Sequence, residues 1–137
     1  MGTFPSDPRK LILIADDDPD GRETLRQLFT HAGYRIAEAA DALRAIELAK
    51  ALAPDLIIMD LGFPELDGWE ATRRLKADPH TRSIVILVLS AHVFETDRAR
   101  AAAAGCDAFL PKPSEMDDIL ACARRLIGSA DKERQGA

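Results

Sequence analysis

The sequence predicts an α/β fold, a doubly wound five-stranded parallel sheet with five helices shared between its faces. Three observations predict it. The apolar runs Lys10 to Ala15, Leu56 to Met59 and Ser83 to Leu89 are short and nearly continuous rather than alternating, as strands are when both faces of a sheet are covered. Between them stand segments whose apolar residues recur three and four apart, and strands alternating with helices imply a parallel sheet with right-handed crossovers. The runs also end in chemistry-bearing side chains, Asp16 and Asp17 after the first and Asp60 after the central one. That is the edge where open parallel sheets hold their ligands.

In order, residues 1–9 hold two prolines and no periodicity, and read as a flexible arm before a domain over 10–128. After the first strand, Asp18 followed by Pro19 makes a helix start, an N-cap carboxylate with proline at the first helical position. Leu25, Leu28 and Phe29 give this helix one apolar face, and Gly33 can end it. Tyr34 to Ala39 alternates weakly and reads as an edge strand. Asp41 caps a second helix, with Ala42, Ala45, Ile46 and Ala49 on one side. The central strand closes at Asp60 and breaks into a loop containing Gly62, Pro64 and Gly68. Asp67 and Glu70 stand in capping-box spacing, so a third helix is expected from Gly68 to about Lys76.

Ser83 to Leu89 is rich in β-branched residues, reads as a fully buried strand and ends at Ser90. His92 to Ala104 is helical by its alanine content, with a thin apolar stripe, and Gly105 closes it. Asp107 to Leu110 is a short fifth strand running into Pro111-Lys112-Pro113. Ser114 is expected to cap a last helix with Ile119, Ala123, Leu126 and Ile127 on one face and Gly128 at its end. Residues 129–137 are polar and read as a flexible tail. Asp18 and Asp67 read as helix caps, Trp69 as packing, and Arg73, Arg74 and Lys76 as a solvated face.

A chain of 137 residues with 47% hydrophobic and 30% charged residues has enough core for one domain. Its net charge of −5 argues against nucleic-acid backbone binding. No apolar run approaches the roughly 18 residues of a membrane span, and the first residues lack a signal-peptide core. The expectation is a cytoplasmic protein, with neither nucleic acid nor membrane among its partners. Cys106 and Cys122 form no metal-ligand spacing and read as buried, reduced thiols.

Taken together, the strand ends bring Asp16, Asp17, Asp60, Ser90 and Lys112 to one edge of the sheet. Carboxylates crowded there repel by about 4 kcal/mol per pair at 4 Å and an effective dielectric of 20, and a hard divalent cation relieves this. All-oxygen ligands point to Mg²⁺. A cation flanked by a lysine and a hydroxyl suits the oxygens of a phosphoryl group, and an aspartate carboxylate can attack phosphorus and hold it as an aspartyl-phosphate.

Asp16-Asp17, the stretch Met59-Asp60-Leu61-Gly62-Phe63-Pro64-Glu65-Leu66-Asp67-Gly68, Ser90-Ala91 and Lys112-Pro113 together resemble the receiver domain of two-component response regulators, over nearly the whole chain and in the right order. The resemblance implies a flavodoxin-like strand order 2-1-3-4-5. It implies that Asp60 takes a phosphoryl group from a histidine kinase or phosphotransfer protein. Asp17, Asp60 and the backbone carbonyl of Gly62 would bind Mg²⁺, with Asp16 helping, often through water. Lys112 would contact the phosphoryl group, Ser90 would move to hydrogen-bond it, and Phe109 occupies the place of the aromatic switch. A cis bond between Lys112 and Pro113 is implied as well. Two positions depart from the commonest pattern. Gly62 replaces a larger side chain beside the site, and Phe109 lacks the hydroxyl of the tyrosine often found there.

The function expected is a stand-alone phosphoacceptor, active as an enzyme only in its own phosphorylation and dephosphorylation. It would signal to a downstream protein through the face formed by the fourth helix, fifth strand and fifth helix. The alternative is a receiver fragment of a larger hybrid kinase or regulator. A Mg²⁺-dependent phosphohydrolase using Asp60 would need a second acid two residues on, where Gly62 stands. A flavin module of this fold would need a phosphate loop rich in N–H groups, where Asp16-Asp17-Asp18-Pro19-Asp20 stands instead.

Overall fold

The computed structural model describes residues 9–60, 68–90, 99, 103–112 and 114–130, with Ser90 described by its backbone alone. Within them the elements run β1 (Leu11–Ala15), α1 (Pro19–His31), β2 (Arg35–Ala39), α2 (Ala42–Leu52), β3 (Leu56–Asp60), α3 (Gly68–Ala77), β4 (Val85–Ser90), β5 (Ala108–Pro111) and α4 (Met116–Ile127). The five strands form one sheet in the order β2-β1-β3-β4-β5, and every pairing is parallel. The order expected from the resemblance is thus the order observed. The fourth of the five expected helices, over 92–104, lies outside the described residues apart from 99, 103 and 104. α4 is the expected last helix.

The strand runs are apolar throughout because each face of the sheet carries its own core. Ile12, Ile14, Leu56, Ile58, Leu87 and Leu89 pack with Leu25 and Phe29 of α1 and Ile119, Cys122 and Ala123 of α4. Their alternates Leu13, Ile57, Met59, Ile86 and Val88 pack with the alanines of α2 and with Trp69, Ala71 and Leu75 of α3. Period-two alternation sends successive side chains to opposite faces, so a strand buried on both shows no polar position. β2 and β5, at the two edges, are only partly buried.

The helix starts follow the expected chemistry where a carboxylate leads. Asp18 accepts from the Asp20 amide at 3.2 Å with Pro19 at the first helical position, and Asp41 accepts from the Arg44 amide at 2.7 Å. α1 stops at Gly33, whose φ of +100° is left-handed backbone that glycine enters without penalty. The turn lets the Tyr34 amide donate back to the Phe29 carbonyl at 3.0 Å.

Two expectations are corrected. Ser114 does not cap the last helix: its hydroxyl donates to the Pro111 carbonyl and closes the turn after β5. Glu115 is the N-cap and makes no side-chain cap bond, while Asp117 and Asp118 place negative charge in the first turn of α4, where the helix dipole favours it. Nor is Lys76 part of a solvated face. Its ammonium donates to the Ile84 carbonyl at 2.8 Å and meets Asp107 Oδ2 at 2.9 Å, and the same oxygen accepts from the Ile86 amide at 2.8 Å. One lysine therefore ties α3 to β4 and to the approach of β5. Arg73 and Arg74 do lie on the exposed side, each paired with Glu70. Ser129 and Ala130 stay with the domain, the Ala130 carbonyl accepting from the Lys10 amide at 2.7 Å. Both cysteines are free thiols, Cys122 buried and Cys106 half-buried, and burial pushes the Cys106 thiol up.

Candidate functional site

The carboxyl ends of β1, β3, β4 and β5 meet at one edge because all four strands are parallel and in close register. Ala15 lies opposite Met59, Asp60 opposite Leu89, and Ser90 opposite Pro111. The next residue of β1 is Asp16, the last of β3 is Asp60, and the residue after β5 is Lys112. β5 stands two strands from β3, roughly 10 Å by ordinary strand spacing. The lysine stem, the Asp60 side chain and the contact between them together span that gap over the end of β4. The Lys112 ammonium reaches Asp60 Oδ1 at 3.2 Å and Asp16 Oδ2 at 3.4 Å.

One carboxylate oxygen from each of Asp16, Asp17 and Asp60 lies within 4.8 Å of the others. Their environments differ. Asp16 is 2% exposed, Asp60 is half-buried and Asp17 is exposed. Asp16 is also the most firmly held. Its amide donates to the Ala39 carbonyl at 3.1 Å, its Oδ1 accepts from the Asp18 amide at 2.9 Å, and its carbonyl accepts from Arg22 Nη1 at 2.8 Å. Arg22 is itself steadied by Glu38 at 3.5 Å.

Burial pushes the Asp16 carboxyl above the usual carboxylate range, and the Asp18 amide and Lys112 only partly pull it back. Burial also pulls the Lys112 ammonium down, but the charges of Asp60 and Asp16 outweigh it and the group titrates above an ordinary lysine. Three carboxylates against one ammonium leave net negative charge in a partly dry site, and an all-oxygen donor set at this spacing suits a small hard cation. The residues present therefore fit Mg²⁺.

Of the residues singled out in the sequence, the structure brings Asp16, Asp17, Asp60 and Lys112 into one cluster. It sets the backbone of Ser90 between the strands that carry Asp60 and Lys112. Gly62, Ala91, Asp67 and the Lys112–Pro113 bond lie outside the described residues. Phe109 packs on the α2–α3 face of the sheet, half-buried and stacked on Trp69 with ring centroids 6.2 Å apart and planes 4° from parallel. Trp69 is packing, as expected, and the ring it packs on, Phe109, is the residue that the resemblance puts at the switch. Sequence reasoning missed Arg22, whose role depends on a backbone carbonyl six residues back. It also missed Gly21, where an added Cβ would stand 2.8 Å from Asp16 Oδ2. A glycine in the first turns of an otherwise ordinary helix was the available signal for the second.

Comparison with known proteins gives one answer from both sequence and structure. A sequence model described as the response regulator receiver domain matches residues 12–124. The polar-differentiation response regulator DivK of Brucella anthropi is 31% identical over 88% of this chain and 98% of its own length. The DNA-binding dual master transcriptional regulator RpaA of Synechocystis is 36% identical over 92% of this chain. The chain spans about half of RpaA, 52% of its length. Among solved structures, the receiver domain of the sensor histidine kinase PA1611 of Pseudomonas aeruginosa, with a magnesium ion in its active-site cleft, aligns with a TM-score of 0.81. It is 31% identical and covers 88% of this chain and 99% of that one. No helix among the described residues is long and apolar enough to cross a membrane.

Proposed function

The chain belongs to the response regulator receiver domain family, and from that premise we propose that it accepts a phosphoryl group on Asp60 and signals by the protein surface this changes. The observation that carries the proposal is the cluster itself. Asp60 ends the central strand within 4.8 Å of Asp16 and Asp17 and in contact with Lys112 at 3.2 Å.

Each residue has a part that its place supports. Asp60 is half-buried yet reachable from the sheet edge, and its ionised oxygen attacks phosphorus. The bond from phosphorus to a donor histidine nitrogen breaks, and its electron pair leaves with the imidazole. Lys112 already stands on Asp60, so its ammonium is placed to meet a new phosphoryl oxygen without rearrangement. Asp16, Asp17 and Asp60, with the Gly62 carbonyl from the adjoining loop, would hold Mg²⁺. When bound, that ion screens the negative charge of the acids and of the incoming phosphoryl oxygens. Ser90, at the end of β4, is the hydroxyl proposed to close on the phosphoryl group.

The donor is a histidine kinase or a histidine phosphotransfer protein in the cytoplasm. The output partner is a protein that docks on the face of the 92–104 segment, β5 and α4. Phe109, stacked on Trp69, is the internal part of that face proposed to change. No turnover of an external phosphoester is expected, only slow loss of the domain's own phosphoryl group. Beryllofluoride, a phosphoryl mimic, tests the reading. It should shift the backbone resonances of Asp60, Ser90 and Lys112 in the presence of Mg²⁺ and leave them unchanged in EDTA. Shifts that are equal with and without Mg²⁺, or absent in both, would count against it.

A further inference from the structure

Gly21 occupies the third position of α1, and helix propensity does not favour it there, since only proline is a poorer helix former. Its backbone does not require it. Among the described residues the glycines with positive φ are Gly33, Gly105 and Gly128, so Gly21 is in a conformation any residue adopts. The constraint is space. A Cβ at this position would stand 2.8 Å from Asp16 Oδ2 and 3.3 Å from Asp18 Oδ2. A carboxylate oxygen in water would swing aside, but this one is anchored: Asp16 is 2% exposed, its Oδ1 accepts from the Asp18 amide at 2.9 Å and its Oδ2 meets Lys112 at 3.4 Å. Rotating or retracting the group to admit a methyl loosens at least one of those contacts.

We propose that Gly21 is a positioning residue for the phosphorylation site: the missing side chain lets the Asp16 carboxylate stand where Lys112 and a Mg²⁺ ion meet it. The inference rests on reading the acidic cluster as the phosphoacceptor site. It adds a residue that touches neither metal nor phosphoryl group and acts only through Asp16. Groups that orient a metal site from outside typically change metal affinity by 10–100-fold when altered, and Gly21 acts on one of three acids, which sets the expectation at the low end.

The test is a double-mutant cycle read by NMR titration with Mg²⁺, using wild type, Gly21→Ala, Asp16→Ala and the double variant. Gly21→Ala should weaken Mg²⁺ binding about ten-fold and move the Asp18 amide proton upfield in metal-free protein, as its bond to Asp16 loosens. In the Asp16→Ala background there is no carboxylate to displace. Adding Gly21→Ala there should change Mg²⁺ affinity by less than about twofold, the usual limit of additivity. An equal loss in both backgrounds overturns the proposal, and so does a Gly21→Ala protein with wild-type affinity and an unmoved Asp18 amide. Wild-type protein that binds no Mg²⁺ overturns the phosphoacceptor reading as well, and the wild-type titration alone identifies that case.

Discussion

Replacing Asp17 by asparagine should stabilise the metal-free protein while weakening its hold on Mg²⁺. Asp17 offers an oxygen within 4.8 Å of carboxylate oxygens of both Asp16 and Asp60. Two unit charges at that separation repel by about 0.9 kcal/mol in water and about 3.5 kcal/mol at an effective dielectric of 20. Asp17 is exposed, so the aqueous value applies, and physiological salt with a screening length of about 8 Å roughly halves it. The two partners together then repel Asp17 by about 0.9 kcal/mol, and Lys112, which contacts both and offsets one of the three negative charges, leaves about 0.5 kcal/mol to be gained. For a domain of this size that is a rise of about 2 °C in melting temperature. With Mg²⁺ at a hundred times its dissociation constant, wild type should gain about 2.7 kcal/mol by mass action, and the variant less, so the order of melting temperatures narrows or reverses. Paired thermal melts in EDTA and in Mg²⁺ measure both halves. An Asp17→Asn protein that melts at or below wild type in EDTA would refute the repulsion argument.

Three further outcomes are expected. The raised Asp16 carboxyl means that the folded state holds this proton more tightly than the unfolded chain, so its contribution is favourable at low pH and is lost as pH rises through that raised value. The metal-free melting temperature of wild type relative to Asp16→Asn should therefore fall as pH climbs from the ordinary carboxylate range toward neutrality, and the Mg²⁺-induced shift should grow over the same range as the competing proton leaves; a difference independent of pH would remove Asp16 as the cause. Thr72 is fully buried in α3, and its hydroxyl has no hydrogen-bond partner among the described residues, so the near-isosteric Thr72→Val should raise stability by about 1 kcal/mol in denaturant melts. Phe109→Ala removes the ring stacked on Trp69, worth about 0.5–1.5 kcal/mol beyond its buried area. It should red-shift the emission of the chain's single tryptophan and leave Asp60 phosphorylation intact while shrinking the difference in partner affinity between the two forms; loss of phosphorylation would place Phe109 in the site rather than in the output.

The parts of the fold legible in the sequence are those whose physics is local. β1, β3 and β4 are apolar without interruption because both faces are covered, and the acids that end β1 and β3 mark the edge at once. Asp18-Pro19 and Asp41 announce α1 and α2 because an N-cap carboxylate bonds within its own first turn. What was misread depends on partners far along the chain or on a choice between near neighbours. Ser114 stands where a cap is expected, but its hydroxyl donates to the Pro111 carbonyl rather than accepting from a helix amide, and nothing in the sequence ranks those two bonds. Lys76 looks like one more exposed cation of α3 until folding brings Ile84 and Asp107 to it. Gly21 looks like a weak point in α1 until the turn after β1 lays Asp16 against it. The cluster of Asp16, Asp17, Asp60 and Lys112 was readable because strand order and parallel register are enough to assemble it. The stack of Phe109 on Trp69 was not, since the two rings come from different elements.

The most direct measurement is the site of phosphorylation. Wild-type protein incubated with acetyl phosphate and Mg²⁺ should acquire a single acid-stable, base-labile phosphoryl group that maps by mass spectrometry to the peptide containing Asp60. It should acquire none in EDTA, and none on that peptide in Asp60→Asn. A phosphoryl group that maps elsewhere in wild type, or that reaches Asp60 equally well without divalent metal, would contradict the assignment of Asp60, Asp16, Asp17 and Lys112 as one phosphoacceptor site.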